Sequence, residues 1–257
     1  MSVVTDDPMG DMIIERLSRC THPVKVGGRF GTAFLYNELL ESTPETDRVR
    51  EWVVTADQFT RDPLLELRLR PELIELAPSA DYLALIHVEG AWTRRAGVGV
   101  LSSWVLHEHA DRKGWRWRTQ EVTDGIAATK QQVQAVLADG ERRAWALGHF
   151  DYEVVEVPGE PRPQGLVGAS VTRDPDGVVR WRGELPEGFA GAPVFVADQL
   201  GRREFAMRCV GVVASADRNP TIVTFDIIRE LVARASNSAS RTRGWRGLLG
   251  RRRGDHT

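Results

Sequence analysis

Apolar and polar positions along this chain change period many times, and short alternating runs outnumber helical ones. Residues 11–19 (DMIIERLSR) place Met12, Ile13 and Leu17 at roughly helical spacing, which predicts a short amphipathic helix or an arm packed on the domain. From 23 to 36 the run PVKVGGRFGTAFLY alternates and carries glycines at 27, 28 and 31, the pattern of a hairpin. The runs 51–59, 64–70, 81–88 and 98–109 read as further strands. Residues 111–147 are polar. Ile126, Val133, Val136 and Leu137 there could share one helical stripe, capped by Thr123 or Asp124 and stopped by Gly140. Strand patterns resume at 149–157 and 166–173, and the turn DPDG (174–177) leads into 178–185. VFVA and FAMRCVGVVA follow, joined by the polar DQLGRR. TIVTFDIIRELVARA (221–235) begins as a strand and ends as a helix, with Ile227, Ile228, Leu231 and Val232 on its apolar side.

This pattern divides the 257 residues into an N-terminal arm or helix (1–22), a strand-rich domain (23–235) and a basic tail (236–257) expected to be disordered. Within the domain, lobe 1 spans about 23–110, a partly helical connector about 111–147, and lobe 2 about 148–235. A net charge of -2 points to neither nucleic acid nor an anionic membrane as a partner of the whole chain. Two cysteines, Cys20 and Cys209, make no disulfide framework. The start MSVVTDDPMGDM lacks the basic and apolar regions of a signal peptide, and no run reaches the length of a transmembrane segment. A cytoplasmic location is the expectation, and no cofactor or metal is expected.

Three strips in order resemble those of trypsin-like (chymotrypsin-fold) serine proteases. GTAFLY (31–36) and WVVTADQF (52–59) resemble the Gly-Thr-Gly-Phe strand and the Val-Thr-Ala-Ala-His-Cys strip. DYLALIHV (81–88) resembles the strand that carries the family's aspartate. GFAGAPVF (188–195) with VGVVAS (210–215) resembles Gly-Asp-Ser-Gly-Gly-Pro-Val and the strand beside the specificity pocket. The resemblance covers about residues 23–235. It implies an all-β, trypsin-like double β-barrel with a short N-terminal helix or arm, a partly helical middle connector and a C-terminal helix.

Carried onto the motif, Gln58 falls at the histidine and Ala190 at the serine nucleophile. The aspartate position falls on Tyr82 by strand phase, with Asp81 one residue before it on the opposite face. The triad needs an Oγ to attack and an imidazole to take its proton. Alanine has no nucleophile, and a carboxamide cannot cycle a proton near neutral pH. The resemblance therefore implies a pseudoprotease that binds a protein or peptide. The glycines persist: Gly188 and Gly191 flank Ala190, and the backbone N–H groups at the Gly188 and Ala190 positions form the family's oxyanion hole.

Other constellations are weaker. His107, Glu108, His109 and Asp111 form H-E-H-x-D; on a strand, His107, His109 and Asp111 would share a face, a possible zinc set or an ordinary exposed strand. Ser102, Ser103 or Cys209 are the alternative nucleophiles, with His87 or His107 as base. Most tryptophans are expected in the core or between lobes, and WRWR (115–118) as a strand with one cationic face. The tail carries Arg241, Arg243, Arg246, Arg251, Arg252 and Arg253 with Trp245, a set that could contact an anionic surface, whether lipid, nucleic acid or acidic protein.

Overall fold

The computed structural model describes residues 7–68, 74–75, 83–117, 119–138, 140–151, 162–199 and 205–250, with side chains on the last helix described through Asn237. Asp81, Tyr82 and Arg251 to Arg253 lie outside the described residues, as do the side chains of Arg241, Arg243, Arg246, Trp117 and Trp245.

Lobe 1 is built from β1 (Thr21–Val26), β2 (Arg29–Ser42), β3 (Asp47–Ala56), β4 (Leu64–Arg68), β6 (Leu83–His87), β7 (Thr93–Arg95) and β8 (Val98–Ser102). They form one curled sheet in the order β6-β4-β1-β2-β3-β8-β7, and β10 (Val122–Thr123) pairs in parallel with β2. The short β5 (Ile74–Glu75) and β9 (Arg116–Trp117) pair separately. Lobe 2 is a closed six-strand barrel: β11 (Arg142–His149), β12 (Gln164–Arg173), β13 (Val179–Arg182), β16 (Thr221–Thr224), β15 (Phe205–Ser215) and β14 (Pro193–Gln199), which returns to β11. Helices α1 (Pro8–Leu17), α2 (Trp104–Lys113), α3 (Lys130–Val136) and α4 (Phe225–Gly250) pack around the two lobes. The fold is a trypsin-like double barrel with a C-terminal helix, as the three strips implied.

The β1–β2 hairpin turns on Gly27 and Gly28, both at positive φ, with Val26 paired to Arg29. Such a two-residue turn needs that conformation, and only glycine adopts it freely. Beyond the turn, β2 is buried on both faces. Ala33 and Leu35 enter the lobe 1 core with Val53, Leu67 and Ile86, while Phe34 and Tyr36 face a second core. That second core lies between the lobes and joins Ile13 and Leu17 of α1, Leu147, Phe195 and Cys209 of lobe 2, and Phe225, Ile228 and Leu231 of α4. Lobe 2 has its own interior of Val171, Trp181, Val196 and Val213.

Four sequence expectations differ from the structure. The run 98–109 is not one strand: β8 stops at Ser102 and α2 starts at Trp104, ending at Gly114 in the left-handed conformation at φ 68. The Ser103 hydroxyl donates to the Glu51 carbonyl (3.0 Å) at that break. The helix expected at Thr123 or Asp124 starts instead at Lys130, where Thr129 and Gln132 form a capping box. Lobe 2 begins at Arg142, because Ala144 and Ala146 pack inside the barrel while Trp145 and Leu147 pack outside it. A strand buried on both faces shows no alternation. Finally, where a disordered tail was expected from 236, α4 continues to Gly250; no proline interrupts it and Ala235 and Ala239 favour helix.

Candidate functional site

The Gly188–Gly191 turn sits between the lobes and is held by Thr32. Thr32 of β2 is fully buried. Its N–H donates to the Ala190 carbonyl (2.9 Å) and its hydroxyl donates to the Gly188 carbonyl (2.8 Å). The same hydroxyl accepts from the His149 N–H (3.0 Å), and the Thr32 carbonyl accepts from the Thr55 hydroxyl (2.7 Å). Gly191 donates to the Val213 carbonyl (2.7 Å), which fixes the turn to β15. Lobe 1 thus holds the Gly188–Gly191 turn of lobe 2 by two hydrogen bonds from Thr32, and a third joins the same hydroxyl to the His149 N–H.

Both glycines are obligatory for this grip. Gly188 and Gly191 have φ of 96 and 92, where L-residues are strained. A Cβ on Gly188 would meet the His149 carbonyl oxygen at 2.2 Å, and one on Gly191 would meet the Thr32 carbonyl oxygen at 1.9 Å. Between them Phe189, at the position of the motif's aspartate, is fully buried and stacks edge-to-face on Phe150.

A cleft of about 200 Å³ opens beside this turn, lined by Gly188, Ala190 and Gln58 together with Arg29, Glu187 and Asp217. Gln58, on the 3₁₀ turn Asp57–Phe59 that follows β3, and Ala190 both line this cleft. Ala190 is 4% exposed, its methyl packed with Ala56 and Phe59 of lobe 1. Among the described residues, neither the Gly188 nor the Ala190 N–H donates to a protein acceptor. The Gln58 carboxamide also has no protein partner there. Asp57, beside Gln58, is engaged elsewhere, by the Thr60 hydroxyl (3.0 Å), Arg61 (3.1 Å) and Arg94 (3.5 Å).

The cleft wall carries an ordered polar cluster. The Asp151 carboxylate accepts from the Phe30 N–H (3.2 Å) and pairs with Arg162 (3.4 Å), whose guanidinium lies over the Phe30 ring at 3.7 Å. The Asp151 N–H donates to the Glu187 carbonyl (2.9 Å). His149, the imidazole behind the turn, is buried and has both ring nitrogens engaged, with the Thr21 hydroxyl and the Arg162 carbonyl (3.2 Å each).

The other candidates lie elsewhere. Ser102 and Ser103 sit at the β8–α2 junction, outside the cleft lining. Cys209 is fully buried, and burial pushes its thiol up to about 12. Cys20 is a second buried cysteine outside any disulfide. His87 is 71% exposed beside Glu89 (3.8 Å). His107 bonds Glu51 (2.9 Å), which raises its pKa against the opposing pull of burial. Because α2 is helical, His107 and His109 do not share a face, and the described residues hold no cluster of three or more metal-ligating side chains. Trp52, Trp92, Trp115, Trp145 and Trp181 are buried, but Trp104, on the first turn of α2, is 65% exposed. Among the described residues no helix is long and apolar enough to cross a membrane.

Thr32 is the functional residue that sequence reading passed over. It sits in the quoted GTAF strip, but a threonine on a strand reads as ordinary packing. Its signal is position: a polar side chain in a strand whose neighbours are apolar on both faces.

The geometry defines the class of the fold, the trypsin-like double barrel. No family model matches the sequence, and no curated protein matches it. The fold is similar to a solved structure of Rv3671c from M. tuberculosis H37Rv, a serine-to-alanine mutant in an inactive form. The TM-score is 0.50 with 13% identity, covering 92% of this chain and 97% of that one.

Proposed function

We propose that this chain is a pseudoprotease: a trypsin-like scaffold that has lost its triad and uses the cleft between its lobes to bind a protein or peptide. The observation that carries the reading is the pairing of a lost nucleophile with a kept frame. Ala190 and Gln58 line the cleft where serine and histidine would act, while the turn still leaves the Gly188 and Ala190 N–H groups without a protein acceptor. Attack needs a nucleophile and a base; capture of a carbonyl or carboxylate oxygen needs only donors.

The rival reading, hydrolysis by a displaced nucleophile, has less support. Cys209 is fully buried and its thiolate is strongly disfavoured. Ser103 spends its hydroxyl on the Glu51 carbonyl. Two buried cysteines outside any disulfide accord with a reducing compartment such as the cytoplasm.

The reading is tested by filling the cleft. Gln58→Arg or Gln58→Trp should remove partners that wild-type protein captures, with thermal melting reporting that the fold is intact. Capture unchanged in both variants defeats the reading. A fluorophosphonate probe should leave the wild type unlabelled. It should also leave Ala190→Ser unlabelled, since Gln58 gives that hydroxyl no base; stoichiometric labelling of the native wild type would restore the enzyme reading.

A further inference from the structure

If the cleft binds peptides, its charges say which kind. Gly188, Ala190, Gln58 and the exposed Arg29 line the same cleft, and the Gly188 and Ala190 N–H groups, the Gln58 carboxamide and the Arg29 guanidinium have no protein acceptor among the described residues. A single neutral peptide carbonyl would satisfy two of these donors and leave a guanidinium facing it unpaired. A carboxylate accepts up to four hydrogen bonds and neutralises Arg29 as well. The methyl of Ala190 adds no competing acceptor where a serine hydroxyl would have stood.

Two acids line the same cleft. Glu187 and Asp217 are both exposed, and the Glu187 carboxylate has no partner among the described residues, while that of Asp217 accepts only from the Ser215 hydroxyl (2.7 Å). Asp151 adds no free charge, because Arg162 pairs with it. These two carboxylates would repel a simple anion. They favour a ligand whose negative charge is concentrated at one end and followed closely by positive charge.

We infer that the cleft recognises the free C-terminus of a polypeptide, the terminal carboxylate held by the Gly188 and Ala190 N–H groups and Arg29, with a basic side chain one or two residues before it set against Glu187 and Asp217. This rests on the peptide-binding reading above and narrows it from any peptide segment to a chain end. It involves no covalent step.

The test uses the full-length protein and two fluorescein-labelled pentapeptide mixtures of identical randomised sequence, one ending in a free carboxylate and one in a carboxamide. Fluorescence anisotropy should show the acid mixture binding about ten-fold more tightly, the scale of a charge-assisted bidentate contact. Arg29→Glu should abolish that preference and Arg29→Lys should keep most of it; Arg29 is exposed at the end of β2, so neither change disturbs the core. Within the acid mixture, Lys or Arg at the penultimate position should outbind Asp or Glu, and Glu187→Lys with Asp217→Lys should reverse the order. Equal binding of acid and amide overturns the inference and leaves the peptide-binding reading standing. A preference that survives Arg29→Glu also overturns it. Absence of binding by either mixture removes both.

Discussion

Thr32 holds the frame of the cleft with a single hydroxyl. It donates to the Gly188 carbonyl and accepts from the His149 N–H, so an isosteric valine leaves both groups buried and unpaired. Each such group costs about 1–3 kcal/mol. Thr32→Val should therefore lower stability by about 2–6 kcal/mol in chemical denaturation, and Thr32→Ser should recover most of the loss. Equal midpoints for wild type and Thr32→Val would mean the turn is held by its other contacts alone. The neighbouring Cys209 makes a complementary statement about inertness. Its thiol is displaced to about 12 by burial, so iodoacetamide should modify it only as fast as the native state opens.

At the scale of elements, α2 is the part that sequence patterning hid best. VGVLSSWVL is apolar on both sides of a serine pair, and nothing in its period separates the end of β8 from the start of a helix. The separation is tertiary, made where Ser103 bonds the Glu51 carbonyl. One turn later, His107 bonds the Glu51 carboxylate, with Asp111 and Glu121 adding negative potential. His107 therefore binds its proton more tightly folded than at its ordinary value of 6.5. Its contribution to stability is complete below that value and is lost as pH rises through the raised folded one. Burial raises Glu121 from 4.5, which also favours the protonated form and acts in the same direction. Denaturation midpoints should fall between about pH 6 and pH 8, and the fall should shrink in His107→Gln. A flat wild-type profile over that range would contradict the contact. The strips GTAF, WVVTADQF and GFAGAPVF, by contrast, were readable because their glycines and small residues mark where strands must approach closely. β11 was not, since it is buried on both faces from Ala144 to His149 and carries two alanines where larger apolar residues would have announced a strand. The aspartate strip was readable as β6, while Asp81 and Tyr82 stand before the described part of it.

For the whole molecule, the lobes are joined by more than the cleft. The chain that crosses from lobe 1 to lobe 2 pairs with β2 through β10 and bridges Ala127 to Cys209 of β15. Asp124 in this crossing accepts from the Tyr36 hydroxyl (2.5 Å), the Leu39 N–H (2.9 Å) and the Arg229 guanidinium of α4, which also donates to the Ala127 carbonyl (2.8 Å). Burial and this carboxylate together push the Tyr36 hydroxyl well above its ordinary pKa. One carboxylate thus ties lobe 1, the crossing and the C-terminal helix. Asp124→Ala would strand a guanidinium and a phenol that are both largely shielded, and should cost about 2 kcal/mol. Asp124→Asn should cost less. Unfolding should remain a single transition in both, because the core between the lobes is shared.

Gly191 has a consequence for how relatives of this fold are recognised. Its Cβ position is occupied by the carbonyl oxygen of Thr32, an atom of the other lobe that has no part in bond cleavage. Any descendant that keeps the two lobes docked must keep glycine there, whether or not it cuts peptides. Neither Gln58 nor Ala190 has a positive φ, so the backbone makes no such demand for glycine at either position. A survey that scores the glycines of this motif therefore counts docked lobes, and only the side chains between them count enzymes.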